Sequence, residues 1–248
     1  MFDRIAGRYD LANRLLSLRR DVAWRRRVAR HLPAGEGLRV LDLATGTGDL
    51  LLALAASASR VCVQKRGGTP LLPCRVGLSV GLDMSPKMLE IAREKMGRSG
   101  GTGSERSLEC RPQWFRLVRA DVTAIPFADS SMDVATMGFG IRNVADVGRS
   151  IGEARRVLRP GGRLLVLEFS LPTNPLVRAV YRLYLRHVLP RLGGWLTGEG
   201  DAYRYLADTV EEFPDGAAFC EQMRNVGFSG VRAYPLTFGI ATLYEGDR

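Results

Sequence analysis

Residues 38–49 read Leu-Arg-Val-Leu-Asp-Leu-Ala-Thr-Gly-Thr-Gly-Asp and contain the clearest evidence for the fold. The first six of these residues are mostly apolar, as in a short buried strand. A glycine-containing turn follows, and residues 49–56 continue as an apolar helix. A strand, a glycine loop and a helix in this order predict one unit of an open α/β sheet, in which ligands bind at the carboxyl ends of the strands.

Strand and helix patterns continue to alternate downstream. We predict further strands at 75–83, 113–118, 132–137 and 162–169, with helices at 86–96 and 146–158. Because helices separate these strands, we expect a mainly parallel sheet that is covered by helices on both faces. Other helical stretches are predicted at 4–31, 175–192 and 215–226, and a hairpin at 231–234 and 240–244.

The length of 248 residues predicts one large domain, with insertions at 57–74 and 97–112, where the composition is mixed or rich in Gly, Ser and Arg. Four cysteines occur singly and far from both histidines, so we expect no disulfide framework and no metal site. The longest apolar run, Leu50 to Ala58, has nine residues, fewer than the ~20 of a membrane span. Since residues 1–10 lack a hydrophobic signal core, we expect a cytoplasmic protein.

The chain carries 36 Lys and Arg against 26 Asp and Glu, a net charge of +10. Two segments account for the whole excess: residues 1–31 with a net charge of +6, and residues 57–80 with +4. Such patches attract nucleic acid or an anionic lipid surface. They are equally typical of solvated arginine-rich faces.

The glycine loop differs from a dinucleotide fingerprint, because Leu51 occupies the third glycine position. Asp49 lies in the first turn of the predicted helix, where its carboxylate would repel a pyrophosphate. A cationic ligand is therefore favoured, and S-adenosylmethionine has an ammonium and a sulfonium but no phosphate. Gly46 and Gly48 would let the backbone approach it closely. The alternative at this point is a plain tight turn between strand and helix.

Two further carboxylates strengthen the prediction of S-adenosylmethionine. Asp83 ends the second strand, from which an acid can reach ribose hydroxyls, and Asp121 ends the third, within reach of an adenine amino group. Either acid alone would more often be a helix cap. The predicted cofactor residues within this region are Asp42, Thr45, Gly46, Gly48, Asp49, Asp83, Met84, Asp121 and Val122.

With these residues in place, the chain resembles the ubiquinone/menaquinone-biosynthesis C-methyltransferase family, a class I methyltransferase family. The resemblance covers nearly the whole chain. It departs at Ala12, where the family has Met, at Arg19, where it has Gly, and in the two insertions. The matching blocks are Phe2-Asp-Arg-Ile-Ala-Gly-Arg-Tyr-Asp-Leu-Ala-Asn13, Ser17 with Trp24, Leu41 to Asp49, Gly138-Phe-Gly-Ile-Arg-Asn143, and Arg156 to Ser170.

The resemblance implies a Rossmann-like class I methyltransferase fold, with a mostly parallel seven-stranded sheet and an antiparallel C-terminal strand. It implies S-adenosylmethionine as cofactor and a polyprenyl quinol as acceptor, either a demethylmenaquinol or a polyprenyl methoxy-benzoquinol. It also implies that residues 1–34 form a helical lid that brings Tyr9 to the cofactor. Residues 171–214 are then expected to form a second lid on the substrate side. Phe139, Tyr203 and Tyr205 are the predicted substrate residues.

Methyl transfer to a quinol carbon requires an ionised neighbouring hydroxyl, and hence a proton acceptor with hydrogen-bonding or positive groups around the oxygen. We predict that Arg142 stabilises the phenolate, directly or through a water, and that Asn143 orients the ring. Alternatively, Arg142 caps a carboxylate or a helix end.

The helix at 176–192 mixes apolar residues with arginines, a pattern suited to an anionic membrane surface, a lid or a dimer contact. A nucleic-acid methyltransferase would fit the charge. However, the fourth strand ends in Gly-Phe-Gly-Ile rather than in the Asn/Asp-Pro-Pro-aromatic motif of amino-methylating enzymes, so no nucleic acid is expected. A small-molecule O- or N-methyltransferase and a non-catalytic module that binds S-adenosylmethionine or a nucleotide are further alternatives.

Overall fold

A computed structural model describes residues 14, 17, 19–62, 76–99, 114–197 and 200–248. Seven strands form one sheet with the spatial order β3-β2-β1-β4-β5-β7-β6. The strands are β1 (Leu38–Leu43), β2 (Val76–Asp83), β3 (Trp114–Arg119), β4 (Met132–Gly138), β5 (Leu158–Phe169), β6 (Ser229–Leu236) and β7 (Ala241–Asp247).

The strand directions confirm the predicted sheet. Strands β1 to β5 are parallel to one another, whereas β7 runs antiparallel to both β5 and β6. In the register of the central strands, Asp42 lies opposite Gly81 on one side and Thr136 on the other. The carboxyl ends of β1, β2 and β4 therefore meet at one edge of the sheet, where the predicted cofactor residues lie.

Helices cover both faces of the sheet. They are α1 (Asp21–Arg30), α2 (Asp49–Cys62), α3 (Pro86–Ser99), α4 (Val147–Val157), α5 (Pro175–Leu183), α6 (Leu189–Thr197), α7 (Gly200–Glu212) and α8 (Ala217–Asn225). A π-turn, Tyr184–Val188, joins α5 to α6, and a short 3₁₀ helix, Ile141–Asn143, follows β4. The Ser85 hydroxyl accepts the Met88 N–H at 3.1 Å and so caps the N-terminus of α3.

The core divides between the two faces because successive residues of each strand point to opposite sides. On β5, Leu165, Leu167 and Phe169 pack on the side of α1, α2 and α5 to α7. Leu164 and Val166 pack on the opposite side, against residues of α4 and α8. Both faces are thus buried, as expected for a largely parallel sheet.

Several predicted boundaries are wrong. A single helix over 4–31 is interrupted, because Arg19 has a left-handed backbone (φ +64°) and α1 begins only at Asp21. Helix α2 continues to Cys62 and α3 to Ser99, so the first residues of both predicted insertions are helical. The remainder of those insertions lies outside the described residues. Strand β5 starts at Leu158, within the predicted helix 146–158, because Leu158 is extended and pairs with Met132 of β4.

Candidate active site

A cavity of about 460 Å³, here called the main cavity, opens at the carboxyl edge of the sheet. Its volume falls within the range of ~300–1,000 Å³ that is common for small-molecule sites. The predicted site residues that line it are Gly46, Asp83, Met84, Asp121, Val122, Phe139 and Asn143. Met88, Thr123 and Arg149 also line it, and their positions were not predicted as functional.

Asp83 connects the glycine loop to the end of β2. Its Oδ2 accepts the Gly46 N–H at 2.8 Å, and its Oδ1 accepts the Ser85 N–H at 2.8 Å. Gly46 has a left-handed backbone with φ +55°, which glycine adopts without strain. Each carboxylate oxygen has a second lone pair, so Asp83 can still accept hydroxyl donors from a ligand in the main cavity.

Gly48 serves the packing of the loop rather than contact with the main cavity. Its φ is +80°, and a Cβ there would lie 3.0 Å from Met96 Cε and 3.3 Å from Ala92 Cβ. A side chain at this position would push the loop away from α3. The structure therefore does not bring Gly48 to the lining of the main cavity.

Asp42 is buried beneath the loop. Its carboxylate accepts hydrogen bonds from the hydroxyls of Thr45 and Thr136, each at 2.6 Å. Burial raises the pKa of Asp42 from 3.8 to about 6, although both hydroxyls and the nearby Arg25 oppose that rise. Asp42 and Thr45 line a second, smaller pocket beside the main cavity, here called the loop recess.

Asp49 also lines the loop recess, and its charge is balanced by neighbouring cations. Lys95 Nζ lies 2.6 Å from Asp49 Oδ1, and Arg25 Nη1 lies 3.6 Å from Asp49 Oδ2. The Asp49 carboxylate, which was expected to repel a pyrophosphate at this helix end, is thus ion-paired, and its repulsion of a pyrophosphate stays a prediction. Asp83 and Asp121 in the main cavity favour a phosphate-free ligand independently of Asp49.

Arg142 points away from the main cavity. Its Nη1 lies 2.5 Å from Glu168 Oε1 and donates to the Phe139 carbonyl at 2.9 Å, and the side chain is 1% exposed. The guanidinium carbon lies 5.3 Å from the centre of the Phe169 ring. The structure thus shows the alternative arrangement, in which Arg142 pairs with a carboxylate, and Arg142 does not line the main cavity.

Tyr203 and Tyr205, which were predicted as substrate residues, differ in position. Tyr203 is buried in the core, where its ring contacts Gly193, so it does not line the main cavity. Tyr205 is partly exposed, and its hydroxyl donates to Asn143 Oδ1 at 3.3 Å, which places it beside the cavity. Tyr9 lies outside the described residues.

Glu168 and Arg25 support the site and were not predicted from the sequence. A signal existed for both: Glu168 is a lone acid within an apolar strand, and such a buried charge needs a partner. Ser17, Asp21 and Arg25 are spaced four residues apart, as expected for side chains that interact along one helical face.

The described residues around the main cavity are suited to an adenosyl ligand. Carboxylates at the ends of successive strands, Asp83 and Asp121, can accept from ribose hydroxyls and an adenine amino group, and the apolar Met84 and Val122 flank them. The glycine loop allows close backbone approach at Gly46. This fold and site define an S-adenosylmethionine-dependent methyltransferase.

Comparison with known proteins identifies the family. A sequence model of the ubiE/COQ5 methyltransferase family matches residues 1–248, and the chain belongs to this family. It is 45% identical over 248 residues to a ubiquinone/menaquinone biosynthesis C-methyltransferase of Syntrophotalea carbinolica, covering 100% of this chain and 92% of that protein. It is also 45% identical to a demethylmenaquinone methyltransferase of Thermus thermophilus, covering 100% of both chains.

Solved structures share the fold at low sequence identity. A methyltransferase from Thermotoga maritima superposes with a TM-score of 0.61 at 17% identity, covering 99% of this chain and 97% of the other. A methyltransferase from Methanococcus maripaludis gives a TM-score of 0.61 at 16% identity, with 99% and 93% covered. These similarities support the class I methyltransferase fold.

Proposed function

We propose that this chain transfers a methyl group from S-adenosylmethionine to a ring carbon of a polyprenyl quinol. The acceptor is a demethylmenaquinol or a 2-polyprenyl-6-methoxy-1,4-benzoquinol. The observation that carries this proposal is the 45% identity, over the full length of both chains, to the demethylmenaquinone methyltransferase of Thermus thermophilus. Asn143 at the main cavity and the Tyr205 hydroxyl that donates to it offer polar groups to a phenolic ring, whereas the Phe139 ring packs in the core against Trp24 and Phe169.

In this proposal, Asp83 binds the ribose hydroxyls and Asp121 the adenine amino group, with Met84 and Val122 against the adenine ring. Gly46 leaves room for the backbone to approach the sulfonium. Asp42 supports the loop through Thr45 and supplies negative charge near the cationic end of the cofactor. The assignment of Tyr9 to the same site rests on the family resemblance.

Bound S-adenosylmethionine supplies an electrophilic methyl carbon, and the transfer forms a carbon–carbon bond as the carbon–sulfur bond breaks. S-adenosylhomocysteine is left behind, and the proton of the methylated ring carbon passes through water to the ring oxygen, which restores the aromatic quinol. The protein must align the two reactants, exclude water and hold the acceptor oxygens. Asn143 and Tyr205, linked by a hydrogen bond, are placed to orient the ring.

Arg142 acts here as a positioning residue. It donates to the Phe139 carbonyl and pairs with Glu168, and so stabilises the turn at Phe139, whose backbone borders the main cavity while its ring packs in the core. Phe139 has a left-handed backbone (φ +59°), which is unfavourable for a bulky residue and needs support from its surroundings. A role of Arg142 toward the phenolate itself requires this turn to rearrange when the acceptor binds.

The second part of the proposal is peripheral contact with an anionic membrane. No helix in the described ranges is long and apolar enough to cross a bilayer. The helical segment from α5 to α6 nevertheless exposes one apolar stripe, with the same spacing of i, i+4 and i+7 on each side of the π-turn. The stripe consists of Leu176, Val180, Leu183, Val188, Leu192 and Trp195, the last of which is 82% exposed.

Charge and position both favour a lipid surface over a second copy of the chain as the occupant of this stripe. Residues 175–197 contain four arginines and no acid, and Arg182 and Arg191 are exposed. The neighbouring turn between β6 and β7 presents Phe238, which is 81% exposed and has a left-handed backbone. Its neighbour Gly239 contacts Pro172 just before α5, so the turn and the stripe lie at the edge of the sheet that carries the main cavity.

Quinone profiling of a deletion strain tests the enzymatic proposal. We expect a demethyl quinone to accumulate in the deletion strain and the methylated quinone to return when the wild-type chain is expressed. The Asp83→Ala variant should not restore the methylated quinone, whereas the exposed control Asp208→Ala should restore it. A normal quinone profile with a loss of RNA methylation would contradict the proposal and select the nucleic-acid alternative.

Vesicle flotation tests the membrane contact. We expect the protein to float with phosphatidylglycerol vesicles at low salt and to dissociate at high salt. The double variant Leu183→Ser/Trp195→Ser should lose binding, whereas Ala179→Ser on the same helix should retain it. Absence of binding at low salt, or a dimer that only the double variant disrupts, would contradict the lipid assignment.

A further inference from the structure

Arg142 uses only part of its guanidinium in the contacts described above. Nη1 pairs with Glu168 and donates to the Phe139 carbonyl. Nε and Nη2 of Arg142 are buried, and neither has a hydrogen-bond partner among the described residues. An unpaired donor on a buried charged group is costly, and folded proteins seldom keep one without a structural or functional reason.

The Tyr181 hydroxyl of α5 is a second unpaired polar group in the same part of the core. Tyr181 is 4% exposed, and its oxygen has no partner within the part of the chain that the structure describes. Tyr181 belongs to the same core cluster as Phe169, whose ring Arg142 approaches. Burial raises the pKa of Tyr181, and Tyr184 adds to this rise, whereas the positive charge of Arg142 opposes it. The hydroxyl therefore stays protonated near neutral pH and can donate a hydrogen bond.

These unpaired groups come from the two elements that separate the apolar stripe from the main cavity. Tyr181 lies on the buried side of α5, whose exposed side carries Val180 and Leu183 of the stripe. Arg142 directly precedes Asn143, which lines the main cavity. A phenolic acceptor that enters from a lipid surface would therefore meet α5 first and the turn after β4 next.

We propose that Tyr181 binds the methyl acceptor, because its hydroxyl can donate to a ring oxygen that also accepts from Nε or Nη2 of Arg142. This inference rests on the proposed function, since it requires a phenolic acceptor. Two donors, one of them charged, favour the ionised oxygen that makes the adjacent ring carbon nucleophilic. Both residues donate only hydrogen bonds, so neither gives up a proton.

The proposed contact requires a movement, because neither Arg142 nor Tyr181 lines the main cavity in this structure. The turn after β4 and α5 must separate for the acceptor oxygen to reach both side chains. The bound oxygen supplies a partner to buried polar atoms that have none among the residues described. These new hydrogen bonds favour the separated arrangement only when the acceptor is present.

Tyr181→Phe tests the inference, because it removes the hydroxyl and keeps the ring. With the quinol that the wild-type chain methylates, we expect kcat/KM for the quinol to fall about 10- to 100-fold. The pH at which kcat reaches half its maximum should rise by about one unit, since the bound oxygen ionises less readily. The KM for S-adenosylmethionine should change less than about twofold. Urea denaturation should show no loss of stability, because the hydroxyl loses no protein partner.

Tyr244→Phe is the matched control. Tyr244 is also fully buried, but it lies on the opposite face of the sheet, and its hydroxyl accepts the Gly216 N–H at 2.7 Å. This control should therefore lose stability and keep its kcat/KM for the quinol.

Three outcomes would overturn the inference. Unchanged quinol kinetics in Tyr181→Phe, together with lower stability, would identify a buried structural water as the partner of the hydroxyl. A matching loss of affinity for S-adenosylhomocysteine would show that Tyr181 only supports the fold. A wild-type chain that methylates neither quinol would overturn the proposed function, and this inference with it.

Discussion

The Arg142 guanidinium lies 2.5 Å from the Glu168 carboxylate, and both side chains are shielded from solvent. Glu168 also accepts the backbone N–H of Phe169 at 2.8 Å, and Arg142 also donates to the Phe139 carbonyl. The pair therefore ties the turn after β4 to the end of β5. The turn after β4, which borders the main cavity, therefore depends on an ion pair whose own residues do not line the cavity.

Removing only one member of this pair should be more harmful than removing both. Arg142→Met leaves the Glu168 charge buried and uncompensated, which we expect to cost about 3–5 kcal/mol of unfolding free energy. Arg142→Met/Glu168→Gln should recover much of that loss, as measured by urea denaturation. A single variant that is as stable as the double variant would contradict the buried pair. Unchanged turnover in the double variant, with normal cofactor binding, would remove Arg142 from the mechanism.

Asp42 should make stability depend on pH. Because its folded pKa of about 6 lies above the ordinary value of 3.8, the group favours folding less as pH rises through this interval. Above pH 7, where Asp42 is ionised, its raised pKa lowers the free energy of unfolding by on the order of 3 kcal/mol, and Asp42→Asn removes this loss. We expect the variant to gain stability over the wild type between pH 4 and pH 7, and to bind S-adenosylmethionine more weakly. A stability difference that is constant over this pH range would contradict the assignment.

Gly193 of α6 lies against the Tyr203 ring of α7, and a Cβ there would lie 2.4 Å from Tyr203 Cγ. Gly193→Ala should separate the two helices and destabilise the protein by about 1–3 kcal/mol. The control is Gly97→Ala on α3, where a Cβ has no neighbour within 4 Å. Gly97→Ala should raise the free energy of unfolding by about 0.4–1 kcal/mol, because it reduces the conformational freedom of the unfolded chain. Thermal unfolding of both variants checks the contrast, and a neutral Gly193→Ala would argue against this helix contact.

The backbone of Arg19 lies in the left-handed region with φ +64°. The family to which the chain belongs has glycine at this position. Arg19→Gly should relieve about 1–2 kcal/mol of backbone strain and lose about 0.5–1 kcal/mol to chain flexibility, a net stabilisation. The neighbouring Arg20 has φ −82°, so Arg20→Gly gains nothing and should destabilise. Differential scanning calorimetry would show opposite shifts in Tm, and a lower Tm for Arg19→Gly would refute the strain.

The sheet and the carboxylates at its edge could be predicted from sequence, because strand periodicity and the order of elements determine which strand ends meet. Asp83 and Asp121 reach the main cavity for this reason. The direction of Arg142 could not be predicted, since it depends on the left-handed turn at Phe139 and on the partner Glu168, 26 residues later. The balance of charge at Asp49 likewise depends on Lys95, which only the packing of α3 on the loop brings near.

The π-turn between α5 and α6 was also beyond sequence reasoning. Residues 175–192 were predicted as one regular helix, but the turn Tyr184–Val188 precedes Pro190, which lacks the N–H that a regular helix would use there. Helix propensity predicts that residues 175–192 are helical, but it does not predict how the two halves of the segment are rotated relative to each other. The exposed apolar stripe therefore became visible only in the folded chain.

Methyl transfer by the purified protein tests the central claim most directly. The protein is incubated with S-adenosylmethionine carrying a ¹³C-methyl group and with reduced demethylmenaquinol or the corresponding benzoquinol in lipid vesicles. We predict that NMR of the extracted quinone shows the label as a methyl group on a ring carbon. Label on a ring oxygen, or transfer to added RNA with none to either quinol, would contradict the account.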